Sequence, residues 1–376
     1  MSALRSFVSA RAAIGALVLI GASTLGMVTP TAAAATNNTT LDVQIGSCDI
    51  RGSGGPNHGK VAIEWRSADG TLRELSKNDS TFGYFGNDIF ACFDSLIGVQ
   101  PGDTIKTTVK GVSRTFTVPP LDVRVDRNTN LVWGTTKPDS ALIVWLDGRG
   151  PGLRDTWQQR NVRAHADGTY RANFNKGTRA DVIGFDDIQV AWHNRRGDFV
   201  RSSAVAPGVH VNIGRSFIEA AGQPGYDASV QLLNHAGGKV LARTSGVIYQ
   251  GLNGFLLLDA SGNDVAVAEG EQIVTDLASD ASFVVPHMNI AADKKTDVVT
   301  LSTTLGAGIG VHIDVAGQNS NGGFAWLDTD AAGHAVVDFS DTSSAMQLHD
   351  VVRGDHVIVT IRLHSGDEVT KVFIVE

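Results

Sequence analysis

The chain has 376 residues, 39 acidic against 31 basic side chains and a formal net charge of −8. That moderately acidic balance argues against nucleic acid as a partner. Only seven of the acids are Glu, leaving 32 Asp beside 42 Gly, a turn-rich composition that points to an all-β protein rather than a helical one.

The first 35 residues read as a removable secretory signal. Arg5 and Arg11 supply positive charge, Ala12 to Met27 is an apolar run interrupted by Gly15, Gly21 and Gly26, and Thr31 to Ala35 is a small-residue cleavage region. The run of 16 residues falls short of the about 20 that a spanning helix needs. Cleavage is expected near Ala35, which lowers the charge from −8 to −10. No second apolar run follows, so the mature chain is expected to be exported without a membrane span, either free outside the cell or held non-covalently at a cell wall. In that compartment Cys48 and Cys92 are expected to form a disulfide. It would close a loop of 45 residues, worth roughly 4 kcal/mol in the chain-entropy model.

Beyond the signal, one unit recurs four times. Asp103, Asp187, Glu271 and Asp355 each open a strand-like run, and successive members lie 84 residues apart. Gly102, Gly270 and Gly354 precede three of them, and the starts agree as well: Leu41-Asp-Val, Leu121-Asp-Val, Val209-His-Val and Met288-Asn-Ile. A fixed period means an array. The expected modules are 36–120, 121–206, 207–287 and 288–376, each a small β-sandwich of about seven short strands. In the second module apolar and polar residues alternate (Leu121, Val123, Val125; Ile188, Val190, Trp192). The pattern places strands near 121–126, 130–135, 141–146, 169–174, 187–193 and 198–203, with Asn194 to Asp198 as a hairpin turn. The repeated acid is expected to act in its turn, bonding backbone amides, because a role present in every copy alike is structural.

The second module resembles bacterial immunoglobulin-like repeats. The residues that carry this are Val132-x-Gly134, Pro138-Asp139-Ser140-Ala141, Ala166-Asp167-Gly168-Thr169-Tyr170, Phe174, and Asp187-Ile188-Gln189-Val190. The third and fourth modules keep parts of this pattern, and the first keeps mostly Gly102-Asp103. The resemblance implies tandem sandwiches of secreted or cell-surface proteins with stalk, spacer or adhesion roles. It transfers no functional residues.

Candidate chemistry is sparse. The histidines show no pair at metal spacing, and neither H-E-x-x-H nor G-x-S-x-G occurs. Asp126-x-Asn128-x-Asn130 lacks the glycine and distal glutamate of a calcium loop and reads as turn chemistry, so no metal or cofactor is expected. The irregular stretch is 147–167, which carries Arg149, Arg154, Trp157, Arg160 and Arg163. Loops on a rigid sandwich hold binding residues, and Trp and Arg are favoured anchors. The plainer expectation is that Trp157 folds back while the arginines are solvated.

The reading is therefore a non-catalytic extracellular interaction protein of four sandwiches in a row. Its partner would be an extracellular protein or a cell-wall polysaccharide. One alternative is a carbohydrate-binding protein using exposed Trp and Arg. A second is a secreted hydrolase with paired Asp carboxylates, which requires two carboxylates converging in a cleft.

Overall fold

A computed structural model of the protein describes residues 37–376 apart from 57, 81–82, 87–97, 149–156, 176–180, 236–237, 250, 279–281 and 318–321. The expected signal segment, Cys92, Arg149 and Arg154 lie outside the described residues. No cysteine among the described residues is free, and the Cys48–Cys92 pairing is carried forward as a proposal.

The described chain is all-β, without a helix. In the first stretch run β1 (Thr40–Gln44), β2 (Ile50–Ser53), β3 (Gly59–Arg66), β4 (Leu72–Ser80), β5 (Phe85–Gly86), β6 (Thr104–Val109) and β7 (Val112–Thr117). The second holds β8 (Arg124–Asp126), β9 (Leu131–Thr135), β10 (Ala141–Asp147), β11 (Gln158–Arg163), β12 (Thr169–Asn173), β13 (Asp187–His193) and β14 (Phe199–Val205). The third holds β15 (Gly208–Asn212), β16 (Phe217–Ala221), β17 (Asp227–Leu233), β18 (Val240–Val247), β19 (Leu252–Leu256), β20 (Gln272–Thr275) and β21 (Ser282–Val284). The fourth holds β22 (Met288–Asp293), β23 (Val298–Thr303), β24 (Gly310–Ala316), β25 (Gly322–Asp328), β26 (His334–Asp338), β27 (His356–Arg362) and β28 (Glu368–Ile374). Strand periodicity accounts for which side chains are inside. On β10, Leu142, Val144 and Leu146 are buried while Ile143 and Trp145 between them face outward, half-buried.

The sheets do not respect the expected module boundaries. Strands of the first two stretches form one seven-stranded sheet in the order β11-β10-β13-β14-β1-β2-β5. It is flanked by a four-stranded sheet from the first stretch (β4-β3-β6-β7) and a three-stranded sheet from the second (β12-β9-β8). The last two stretches repeat the plan: a seven-stranded sheet β19-β16-β15-β28-β27-β24-β25, with β18-β17-β20-β21 and β22-β23-β26 beside it. The link in each case is a parallel pair. Asp42 on β1 stands opposite Phe199 on β14, and His210 on β15 opposite Glu368 on β28.

Accordingly the described residues form two apolar cores, where four sandwiches were expected. One runs from Leu41 to Ala206 and the other from Val209 to Val375. An isolated sandwich leaves the outer strand of its sheet with unpaired amides and carbonyls. Pairing β1 with β14, and β15 with β28, removes two such edges from each sheet and joins the apolar faces behind them.

Candidate functional site

The repeated acid occupies one and the same turn in all four stretches. The amide of Gln100 donates to Asp103 Oδ2 (2.9 Å), that of Ile183 to Asp186 Oδ2 (2.9 Å), that of Ala268 to Glu271 Oε2 (2.6 Å) and that of Val352 to Asp355 Oδ2 (2.9 Å). The backbone repeats as faithfully: Gly102, Phe185, Gly270 and Gly354 donate to Val118, Ala206, Val285 and Val375. In the second stretch the turn acid is thus Asp186, and the expectation that placed Asp187 there is corrected by one residue. Phe185, at φ +64°, takes the left-handed position that glycine fills in the other three copies. Two adjacent aspartates and a missing glycine hid the shift. Asp187 instead begins β13, directly opposite Asp147 of β10.

The buried acids of these turns differ in what else they hold. Asp103 accepts from Trp65 Nε1 (2.8 Å) and the Ala68 amide (3.1 Å). Asp355 Oδ2 is 2.9 Å from His349 Nε2, while its Oδ1 is buried without a partner. Asp186 meets Arg362 Nη2 at 3.2 Å, and both side chains are 1% exposed. Burial pushes the Asp186 carboxyl up to about 7, against the pull of the Arg362 guanidinium and the Ile183 amide.

Arg362 and Asp186 belong to a buried polar junction between the two cores. Arg127, in the turn after β8, forks onto Asp367 with both contacts at 3.1 Å, and also donates to Pro207 O (2.9 Å) and Ser365 O (3.2 Å). Arg362 also donates to Gly184 O. Gly184 and Gly366 meet backbone to backbone: the Gly184 amide donates to Ser365 O (2.9 Å), and a Cβ on Gly366 would lie 2.1 Å from Gly184 N. Asp367 also receives the Val209 amide (2.8 Å), at the start of β15. Asp198 repeats this in the first pair, receiving the Leu41 amide (3.0 Å) and Arg114. Each parallel pairing is therefore gripped by a buried aspartate at a hairpin tip. Reading for strands missed these residues, although Gly197-Asp198 and Gly366-Asp367 do recur 169 residues apart.

The expected binding loop is partly strand. Residues 158–163 form β11, the outer strand of the first seven-stranded sheet, paired with β10. Arg160 lies over the Phe174 ring at 5.0 Å and donates to Gln159 O (3.0 Å) and Gln158 Oε1 (3.2 Å), so it braces the edge rather than projecting. Arg163 reaches Asp139 at 4.0 Å with both side chains exposed, a contact worth little. Trp157 does not fold back; it is 58% exposed.

Trp157 instead lines a groove of about 480 Å³ with Gln44, Trp145, Asp147, Asp187, Ile188, Gln189 and Ser203. Its floor is a cross-strand row on the outer face of the sheet. Trp145 is opposite Gln189, Gln189 is opposite Ser203, and Gln44 Nε2 donates to Ser203 Oγ at 3.4 Å. Because Gln44 stands on β1 and Ser203 on β14, the row exists only where the two stretches share the sheet. The same place on the second seven-stranded sheet carries Asp314, Ile358 and Val372 in register. The fold thus accepts apolar residues there, and the polar row of the first sheet is not required to build it.

Asp126 and, in the fourth stretch, Asp330 make turns. Asp126 accepts from the Asn128 amide (2.9 Å) and Thr129 Oγ1 (2.8 Å), and Asp330 from the Ala332 (2.8 Å) and His334 (2.9 Å) amides.

No family model matches the chain, and no curated protein matches it. Among solved structures it is similar to the tetra-tandem repeat in the extending region of a large adhesion protein, at 13% identity over 90% of this chain and 99% of that one, with a TM-score of 0.19. Escherichia coli alpha-2-macroglobulin activated by porcine elastase is similar at 10% identity, over 90% of this chain and 43% of that one, TM-score 0.19. The BSP domain of a biofilm-associated protein follows at 8% identity, 90% and 95% coverage and a TM-score of 0.17. Likeness at this level carries no residue and no activity across, so the site is read from its own geometry.

Proposed function

We propose that this chain is a non-catalytic, exported interaction protein whose contact surface is the groove around Trp145 and Trp157. The observation that carries the reading is an exposed indole beside a polar row that the sheet does not need. Trp is a favoured anchor of contact surfaces, and the donors and acceptors beside it are free of any duty in building the sheet. Buried arginine–aspartate pairs at the junction suit a presenting role, since they hold the groove's sheet against the second core. The test is retention of labelled protein on whole bacterial cells. Retention is expected for the native chain, lost in Trp157→Ala and kept in Arg160→Ala; equal retention of all three would refute the placement.

One observation favours a second reading, glycoside hydrolysis: Asp147 and Asp187 are direct cross-strand neighbours in the groove. Hydrolysis needs carboxyls that flank the scissile bond. These two rise from adjacent strands of one face and approach a ligand from the same side, which suits binding better. Release of reducing ends from a polysaccharide, abolished in Asp187→Asn, would replace the binding reading with the hydrolytic one.

A further inference from the structure

We propose that the second parallel pair, β15–β28, is a proton-dependent joint that tightens in mild acid, whereas the first, β1–β14, is locked without a proton. The two pairs share one register and carry opposite charge. Across the first, Arg51, Asp42, Phe199 and His193 stand side by side on β2, β1, β14 and β13. Across the second, the same four places hold Glu219, His210, Glu368 and Arg362 on β16, β15, β28 and β27. Arg201 closes the first pair, forking onto Asp42 through Nε (2.8 Å) and Nη2 (2.7 Å); Thr370 takes its place in the second. His193 is exposed and set apart from Asp42 by Phe199. An acid held by a guanidinium, which does not give up its proton, is thus replaced by an imidazole set between two glutamates.

His210 is placed to take the proton. Its Nδ1 is 3.1 Å from Glu219 Oε2 and its Nε2 is 2.8 Å from Thr370 Oγ1, which is 2.7 Å from Thr360 Oγ1. A carboxylate only accepts, so in the neutral ring Nδ1 donates to Glu219, Nε2 accepts from Thr370, and Thr360 donates to Thr370. On protonation Nε2 donates instead, the two hydroxyls reverse, and every contact is kept. The ring then carries a charge against Glu219 and opposite Glu368. The other charged groups here are Arg362, which is 3.2 Å from Asp186 and 3.9 Å from Glu368, and Asp367 in the turn between β27 and β28; His312 and Asp314 stand on β24, beyond Thr360. Arg362 is therefore shared between two acids, and His210 adds a positive charge to the cluster only when protonated. Burial pushes the Glu368 carboxyl up, against the pull of Arg362 and His210. A carboxyl raised in the folded chain contributes less stability as the pH climbs, so Glu368 works in the same direction as the histidine.

Hydrogen–deuterium exchange of the exported chain tests this, read by mass spectrometry at about pH 5.5 and about pH 7.5, the range in which histidine changes charge, and corrected for the intrinsic exchange rate. Peptides spanning 208–212 and 368–374 should gain about threefold in protection at the lower pH over those spanning 40–44 and 199–205, the factor a partly exposed ion pair gives. His210→Gln cannot take a charge and should lose the gain. His210→Arg should be as protected at the higher pH as the native chain is at the lower. Asp186 also titrates in this range, at about 7, but it is present in all three chains, so the part that follows residue 210 is read separately. Nitrogen NMR of the native imidazoles needs no variant: the His210 ring should pass from one ring proton to two as the protection rises. A His210 ring that stays neutral throughout, an undiminished gain in His210→Gln, or an equal gain at the β1–β14 pair overturns the proposal.

Discussion

Asp367→Ala attacks the junction at its most heavily used atom pair. The carboxylate is 2% exposed and accepts from both Arg127 amino nitrogens, the Val209 amide and Ser365 Oγ. Its removal leaves the Arg127 guanidinium, whose side chain is 4% exposed, as a buried and uncompensated charge. Breaking a buried pair in this way costs about 3–5 kcal/mol. For a folding unit of this size that is a fall of roughly 6–20 °C in Tm. The assay is urea unfolding followed by tryptophan fluorescence and far-UV circular dichroism together. Five of the six tryptophans (65, 133, 145, 157, 192) lie in the first two stretches, and only Trp326 lies in the last two. The variant loses the grip on β15 and should unfold its second core first, so the dichroism transition should precede the fluorescence transition. Arg127→Met/Asp367→Ala should lose less than the two single changes summed, by about 0.5–3 kcal/mol. A loss under about 1 kcal/mol for Asp367→Ala, or strict additivity in the double variant, would refute the claim that this pair joins the cores.

The turn register is open to the same kind of test: Asp103→Ala strands the Trp65 indole N–H and two amides, at about 1–3 kcal/mol for each buried donor left unmade, whereas Asp187→Ala should change stability by about 0.5 kcal/mol or less; equal losses would restore the register with Asp187 in the turn. Asp186 makes stability pH-dependent. Its folded-state carboxyl titrates at about 7 and its unfolded one near 3.8, so between these values the folded chain holds a proton that the unfolded chain has released. Stability contributed by this group therefore falls as the pH rises from about 4 to about 7, and Asp186→Asn should flatten that slope in thermal scans at stepped pH; an unchanged slope would assign it elsewhere. For the proposed Cys48–Cys92 bridge, non-reducing mass spectrometry of the exported chain should find the two peptides linked, and Cys48→Ser/Cys92→Ser should cost roughly 4 kcal/mol; alkylation of both thiols in the untreated protein would disprove the bridge.

What could be read from the linear chain was whatever repeats locally. Alternation of apolar residues such as Leu142, Val144 and Leu146 announces a strand, because successive side chains point to opposite faces. A Gly-acid step at a fixed period announces a turn, because the acid bonds an amide only three residues away. Both signals live within a few residues, and the slip from Asp186 to Asp187 came where Phe185 assumed the glycine's backbone angle. Periodicity does not reveal the strand within 147–167, since Gln158–Arg163 is a polar edge strand with no fully buried positions to mark it. The pairing of β1 with β14 was beyond local reading: each strand's pattern says which face is buried but not which distant edge it meets. Only the folded chain decided that four copies share two cores, that Arg127 and Arg362 find Asp367 and Asp186 across some 180 to 240 residues of sequence, and that Gln44 completes a row begun at Trp145. Those contacts depend on edges being covered and charges being paired at burial, which are properties of the assembled sheets and not of any segment in them.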